Sequence, residues 1–438
     1  MKPLFDVLRE FCLALWDGLL ALPRQGISFL QQKKRLSFFQ ALSRDVPPQP
    51  APHTTEASGT LHHLFLSCGD ASGEAHALRL LRQLKKSHPQ LKVSGFGGAQ
   101  LQKEGMDIWE PLADKNVMGF RDVLAQLPLF IRCVFRFSKE LHQQKPDAVI
   151  LVDYPGLHRH LLRIAHRAKI PVIDFIAPQL WAWSPWRIRD FKKADALLTI
   201  LPFERSWYEA HGAKAVYVGH PLGDGNTAQE TLPESISTLS NGTWVGLLPG
   251  SRRREVEENL PLFLQAAENL HQKNPNVQFV LPHLRAELFP QIQDLLSQTK
   301  LPILFAQGEF QKVLPYLQGA WVTSGTAVLE VAAHQVPPIL VYHLSSRWKE
   351  WLSRRWLSVP WIGGLNLLAG EELAPEHVGV DLSPHEMAQD MQEYLHGPRR
   401  TEFLQKLKPH LPAFARPGSA ARAAEAVNQT VFPPFSSK

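Results

Sequence analysis

Twice along this chain, short apolar runs alternate with helix-patterned stretches, and each run breaks off into a loop of small or charged residues. The first series starts at Leu64-Phe65-Leu66. It continues through Lys92 to Gly95, Ala148 to Val152, Pro171 to Ile176, Ala196 to Leu201 and Ala215 to Val218. A polar stretch from about Gly223 to Gly242 interrupts it. The second series opens at Val245-Gly246-Leu247-Leu248 and runs through Gln278 to Leu281, Ile303 to Phe305, Ala320 to Val322 and Ile339 to Tyr342. Strands this apolar need cover on both faces, and the intervening helices supply it, so the pattern predicts βαβ units and parallel sheets. Two open α/β halves facing a cleft are expected, with ligands bound beyond the carboxyl ends of the strands.

Residues 1–60 stand apart from this pattern. Leu4, Leu8, Phe11, Leu15, Leu19 and Leu22 recur at helical spacing, with Asp6, Arg9, Glu10 and Asp17 on the rest of the wheel. This is an amphipathic helix. Asp6 and Glu10 in the leading segment argue against a signal peptide. An interfacial membrane anchor and a helical extension packed on the body both fit. Prolines 47, 48, 50 and 52 mark a linker after it.

Composition narrows the class. Apolar residues make up 44% of the 438, enough for a large core, and no run reaches the roughly 18 residues of a transmembrane helix. Three cysteines, Cys12, Cys68 and Cys133, are too scattered for a disulfide framework or a zinc site and suit a reducing cytoplasm. The net charge is +6, and most of its basic groups lie among tryptophans or apolar runs. That mixture suits an anionic membrane surface or phosphorylated ligands at least as well as nucleic acid.

The loops after the strands carry the candidate chemistry. After the first strand comes Cys68-Gly69-Asp70-Ala71-Ser72-Gly73-Glu74, just before a helix. Two carboxylates there suit a hydrogen-bonded sugar better than a phosphate; capping by Ser72 with a dipole-favoured Glu74 is the simpler alternative. Asp153, directly after an apolar strand and held by Tyr154-Pro155-Gly156, is either a general base or a helix cap. In the second half, Pro249-Gly250-Ser251-Arg252 ends a strand and opens a helix. Its backbone N–H groups, helix dipole and guanidinium suit a pyrophosphate, although the Gly-Lys-Ser/Thr ending of a P-loop is missing. Further on, Ser324-Gly325-Thr326 opens another helix, and Glu330 within it suits the two hydroxyls of a ribose. No Asp-x-Asp sequence occurs, so no metal–diphosphate motif is visible, and neither a metal nor a cofactor is expected.

Together these segments resemble the lipid-A-disaccharide synthase family of inverting glycosyltransferases. The family's A-G-E-x-S-G-D pattern reads here as Cys68 to Glu74 with its two acids exchanged. Gly95-Phe96-Gly97-Gly98, Val117-Met118-Gly119, Asp153-Tyr154-Pro155, Trp181-Ala182-Trp183, Pro202-Phe203-Glu204 and Val218 to Leu222 follow in order. Leu248 to Arg252, Ser324 to Glu330 and Asn366-Leu367-Leu368-Ala369-Gly370 complete the set, over about residues 61–376. Gly364-Leu365, before Asn366, departs from the family's usual Leu-Pro.

The resemblance implies an α/β fold of two Rossmann-like domains facing a central cleft, the GT-B type, with the helical extension added at the N-terminus. The expected division is an extension and linker over 1–60, an acceptor and membrane-facing domain over 61–225 and a UDP-sugar donor domain over 240–405. A C-terminal helical segment over 406–438 is expected to pack back on the first domain. It also implies transfer of 2,3-diacylglucosamine from UDP to 2,3-diacylglucosamine-1-phosphate, giving a β-1,6 disaccharide and UDP without a metal. Asp153 and Arg252 would be catalytic. Asp70, Ser72, Gly73, Glu74, Gly250, Ser251, Arg252, Ser324, Gly325, Thr326, Glu330 and Asn366 would bind the substrates. The expected setting is the cytoplasmic face of the inner membrane, without nucleic acid, and a homodimer is compatible with it. Leu127, Phe130, Ile131, Val134 and Phe135 beside Arg132, Arg136 and Lys139 form one apolar stripe that could meet an anionic lipid surface. Trp348, Trp351, Leu352 and Trp356 beside Arg347, Lys349, Arg354 and Arg355 form another. The alternatives are a UDP-N-acetylglucosamine epimerase on the same fold, an inactive membrane-bound nucleotide-sugar binder, and a soluble glycosyltransferase of another pathway.

Overall fold

A computed structural model describes residues 2–20, 23–24, 26, 30–44, 59–113, 127–225, 234–323 and 325–433. The proline-rich linker, Val117-Met118-Gly119 and Ser324 lie outside the described residues. The chain divides into two compact units, one of residues 1–34, 45–225 and 416–438, the other of residues 35–44 and 226–415.

The first unit begins with helix α1 (Lys2–Leu19). Its sheet holds seven parallel strands: β1 (His63–Cys68), β2 (Lys92–Phe96), β3 (Asp107–Glu110), β4 (Ala148–Val152), β5 (Val172–Phe175), β6 (Ala196–Thr199) and β7 (Ala215–Tyr217). Their order is β3-β2-β1-β4-β5-β6-β7, so the chain reverses direction across the sheet between β1 and β4. Helices α2 (Ala71–Ser87), α3 (Leu127–Gln144), α4 (Pro155–Arg167) and α5 (Pro202–Ala210) accompany it. All five residues of β4 are buried, as a central parallel strand requires.

The second unit repeats the plan with six parallel strands: β8 (Thr243–Leu248), β9 (Val277–His283), β10 (Ile303–Gln307), β11 (Leu317–Thr323), β12 (Pro338–His343) and β13 (Glu376–Gly379). They lie in the order β10-β9-β8-β11-β12-β13, with the reversal between β8 and β11. The helices used below are α6 (Arg253–Lys273), α7 (Thr326–Ala333), α8 (Arg347–Trp356) and α9 (Gly364–Ala369). The chain then returns to the first unit through α10 (Ser419–Val431). Asp224 fastens that return by accepting the backbone N–H groups of Ser419 at 3.1 Å and Ala420 at 2.8 Å, and that of Gly418. Each α/β unit is a Rossmann-like sheet with flanking helices, as expected.

Two strands escape the sequence pattern. β3 reads Asp-Ile-Trp-Glu and β13 reads Glu-His-Val-Gly. Both lie at sheet edges, where one flank faces no neighbouring strand and polar residues are tolerated.

Candidate functional site

In the first unit, register sets which loops share an edge. Cys68 pairs with Val152, Val152 with Phe175 and Phe175 with Leu198. The loops that follow these strands therefore emerge side by side. Asp153 stands first after β4 with φ +46, a backbone region that few residues other than glycine adopt. Its amide donates to the Phe175 carbonyl at 3.2 Å, which fixes this turn. Residues held in such conformations concentrate at functional sites.

Electrostatics then sharpens Asp153. Burial, with repulsion from the Asp70 and Glu204 carboxylates, raises its pKa to about 7. Glu204, itself buried, is also pushed up to about 7, although Ile200 and Leu201 N–H groups and the Trp181 indole donate to it at 3.0, 3.0 and 3.2 Å. Asp174 on β5 is raised well above its ordinary value by burial and by Asp153. Four carboxylates thus influence one another at a single sheet edge, and a pKa near 7 is what a general base needs at neutral pH.

The neighbours of Asp153 divide between substrate-facing and structural tasks. Asp70, rather than Ser72, caps α2, accepting the Gly73 amide at 2.7 Å. Ser72 is exposed, with its hydroxyl 3.4 Å from His76. Glu74 is buried and accepts the Gln100 and Leu101 amides at 2.9 and 3.0 Å. It therefore anchors the segment after Gly97-Gly98, and a Cβ on Gly98 would lie 2.6 Å from its carboxylate. The structure thus gives Glu74, expected at the substrate, an anchoring task within the protein. Tyr154 lays its ring over Gly69, where a Cβ would collide with it, and stacks on Phe130 at 6.4 Å. Burial and Asp70 push the Tyr154 phenol up to about 12, so it stays protonated.

In the second unit, Leu248 pairs with Val322 and Val322 with Leu340, which puts the Pro249–Arg252 and Gly325–Thr326 junctions at the same edge. Gly250 adopts φ +107, and its carbonyl accepts a hydrogen bond from His283 Nε2 at 3.1 Å. Ser251 and Arg252 amides point to Glu255 at 2.9 and 3.2 Å, and the Arg252 guanidinium pairs with the same carboxylate at 2.8 Å. An acidic side chain thus occupies part of the anion-binding turn expected here. The Arg252 side chain remains 58% exposed. Gly325, at φ +150, caps α7, and Glu330 on that helix accepts from Gln311 at 2.7 Å.

Asn366 departs from expectation. It is 1% exposed, and its amide donates to the Ala374 carbonyl and Glu376 carboxylate, each at 2.8 Å. Its oxygen accepts the Leu373 and Ala374 amides at 2.8 Å. All four of its hydrogen-bonding positions are spent inside the protein. In the structure Asn366, expected to contact substrate, pins the turn between α9 and β13. Asp174 and Glu204 were missed as site groups. Glu204 lies in the first turn of α5, beyond β6 rather than directly after it as Asp153 follows β4, while Asp174 lies within a strand and gave no signal.

Comparison with known proteins decides the family. The sequence matches the profile described as lipid-A-disaccharide synthetase over residues 64–429. The chain belongs to the lipid-A-disaccharide synthetase family. Curated relatives carry the name lipid-A-disaccharide synthase. The one from Syntrophus aciditrophicus is 34% identical over 82% of this chain and 96% of its own. That from Myxococcus xanthus is 31% identical over 84% and 98%. The fold is also that of distant solved structures. The S. aureus MnaA–UDP co-structure has a TM-score of 0.59 at 11% identity, covering 84% of this chain and 96% of that one. The calicheamicin glycosyltransferase CalG4 has a TM-score of 0.55 at 15% identity, covering 85% and 98%. With the family in hand, an epimerase reading is not favoured, because solved UDP-N-acetylglucosamine 2-epimerases from Listeria monocytogenes and Neisseria meningitidis share the fold at only 12% and 14% identity. Of the family's motifs, Trp181 binds Glu204 and is buried, whereas Trp183 is 49% exposed.

Proposed function

We propose that this chain joins 2,3-diacylglucosamine, supplied as its UDP derivative, to 2,3-diacylglucosamine-1-phosphate, making a β-1,6 disaccharide of lipid A biosynthesis. Asp153 takes the proton from the acceptor 6-hydroxyl as its oxygen attacks the donor anomeric carbon. The anomeric C–O bond breaks, and its electron pair leaves with the UDP diphosphate. Attack opposite the leaving group inverts the anomeric centre. The observation that carries this reading is the Asp153 carboxyl, strained in backbone, crowded by acids and brought to about 7.

Arg252 and the helix starts at α6 and α7 are the groups suited to the diphosphate, with Glu330 on the ribose. The anion would displace Glu255 from the Ser251 and Arg252 amides. Among the described residues no three His, Cys, Asp or Glu side chains gather in a metal-holding arrangement. The lack of an Asp-x-Asp sequence supports a metal-independent reaction.

Acylated substrates also require access to lipid. No described helix is long and apolar enough to cross a membrane. Instead, Leu127, Ile131 and Phe135 on α3 are exposed, as are Trp348 and Trp351 on α8, stacked at 5.9 Å with Arg355 over Trp351 at 4.7 Å. Val134, expected in the α3 stripe, is buried. Such apolar faces beside arginines suit peripheral attachment to the anionic cytoplasmic leaflet of the inner membrane. The test is direct: with both substrates and EDTA, the purified protein should release UDP and form the disaccharide. Absence of product, or full dependence on an added divalent metal, overturns the reading.

A further inference from the structure

Helix α1 is mounted the reverse of an ordinary surface helix. Its acids point inward and its large apolar residues outward: Leu4, Phe5, Leu8, Leu15, Trp16 and Leu19 are 55–72% exposed. What holds it is charge. Asp6 and Glu10 pair with Arg167 at 2.9 Å each, and Glu10 also with Arg163 at 2.9 Å. Asp17 meets Arg159 and, at 3.2 Å, Arg189. Arg159, Arg163 and Arg167 all belong to α4, the helix that Asp153 precedes.

Because carboxylates make the attachment, the apolar residues on the flank of α1 do not close against the body. Val7, Phe11 and Ala14 instead form one wall of a cavity of about 290 Å³. Phe130 and Ile131 of α3 form the opposite wall, and Tyr154 the end. The volume is at the lower bound of ligand pockets. The polar side chains at its rim, Glu10 and His160, are engaged with each other at 3.1 Å and with Arg163. A cavity lined mainly by apolar side chains favours an apolar guest. Tyr154, which lines the cavity, directly follows Asp153, the residue proposed as general base.

We propose that α1 and α3 enclose a binding groove for one fatty acyl chain of the acceptor, with the N-terminal extension as its removable wall. The occupant is an acyl chain because the cavity is lined mainly by apolar residues of two helices and by Tyr154, the neighbour in sequence of the acid proposed to activate the acceptor. This inference rests on the acyl-sugar reading above. Residues 1–63 fall outside the family match, so the groove is a specificity device of this chain rather than of the shared core.

The experiment fills the groove. Ala14→Trp should lower the ratio of kcat/KM for a long-acyl acceptor to that for a short-acyl acceptor by about tenfold, mainly through KM, since methylenes are left in water. Leu15→Trp, on the outward face, should change that ratio by less than about twofold. Independently of turnover, a fluorescent C14 fatty acid should bind the full chain one to one and lose that binding in Ala14→Trp, with circular dichroism confirming the fold. Equal chain-length ratios and equal fatty-acid binding in Ala14→Trp and the parent chain overturn the proposal. So does an equal loss in Leu15→Trp, which would assign the acyl chains to the bilayer. If the parent chain converts neither acceptor, the proposed function fails, while the fatty-acid titration still decides whether the groove exists.

Discussion

The two sheets end in opposite electrostatics. The first unit gathers Asp70, Asp153, Asp174 and Glu204 at one sheet edge, and burial drives three of these carboxyls above their ordinary range. At the corresponding edge, the second unit places Arg252, Arg253 and Arg254 in the opening of α6, largely exposed, with Glu255 and Glu258 as partners. The plan of strand, loop and helix is the same in both. Burial without a cation makes a carboxyl that can hold or release a proton near neutrality. Exposure with several cations makes a surface that exchanges one anion for another. That difference suits the division of labour proposed for the glycosyl transfer, with one edge managing a proton and the other a leaving group.

The sharpest way to break the comparison is to neutralise the proton-managing edge. Asp153→Asn should lower kcat by about 10²–10⁴-fold while the unfolding temperature holds. In the parent chain the base works only when deprotonated, so kcat/KM should fall by about tenfold per pH unit below about 7. That acid limb should vanish from the residual activity of the variant. A limb that persists in Asp153→Asn assigns the proton transfer elsewhere in the acid cluster.

Next comes the other edge. Arg252→Ala should cost about 10²-fold in kcat, as loss of a transition-state charge partner does elsewhere. Arg252→Lys should recover only part of it, having lost the planar fork. Calorimetry with UDP separates the effect on binding from that on turnover, and an undiminished kcat in both variants would end the leaving-group role.

A smaller effect separates structural from substrate-facing residues. Asn366→Ala strands two backbone N–H groups and a carbonyl, so thermal unfolding should register about 1–3 kcal/mol of destabilisation. UDP affinity should change far less. The reverse outcome would return Asn366 to the binding surface.

The smallest effect contrasts acids with and without arginine partners. Burial alone would raise the Glu10 pKa, yet its hydrogen bond with His160 and its pairing with Arg163 and Arg167 hold it at about 2. A carboxyl depressed in the fold contributes stability above its unfolded value, near 4.5, and loses it as pH falls towards 2. Pepsin cleavage within residues 2–19 should therefore rise between pH 4.5 and 2. A flat profile across that window would mean that the carboxylates do not hold the helix.

Most of the parallel framework was legible because buried strands are written as apolar runs. Ala148–Val152 is an example, found with the bounds expected. The edge strands β3 and β13 were not, since an edge strand need not be apolar. Position in the chain placed Asp153, Gly250 and Arg252 at strand ends. It did not show which acids are buried together, and so neither Asp174 nor the perturbation of Glu204 could be read. Motif membership did not reveal where a residue serves the motif's own geometry. Glu74 and Asn366 are turned inward to fix a neighbouring turn, and sequence alone does not distinguish an inward hydrogen bond from an outward one.

The mounting of the N-terminal helix leaves its record in the core. Arg159, Arg163 and Arg167 recur every fourth residue along α4, a ladder facing Asp6, Glu10 and Asp17. Arg159 and Arg163 are nearly sealed from solvent, and a guanidinium in such a position is tolerated only with its counter-charge present. The extension and the ladder are therefore a matched pair, with Asp190 at 3.0 Å from Arg163 as a second counter-charge from the body itself. A chain that has lost its leading helix should also have exchanged these arginines for neutral residues, so the ladder serves as a fingerprint by which the extension can be recognised from inside the enzyme.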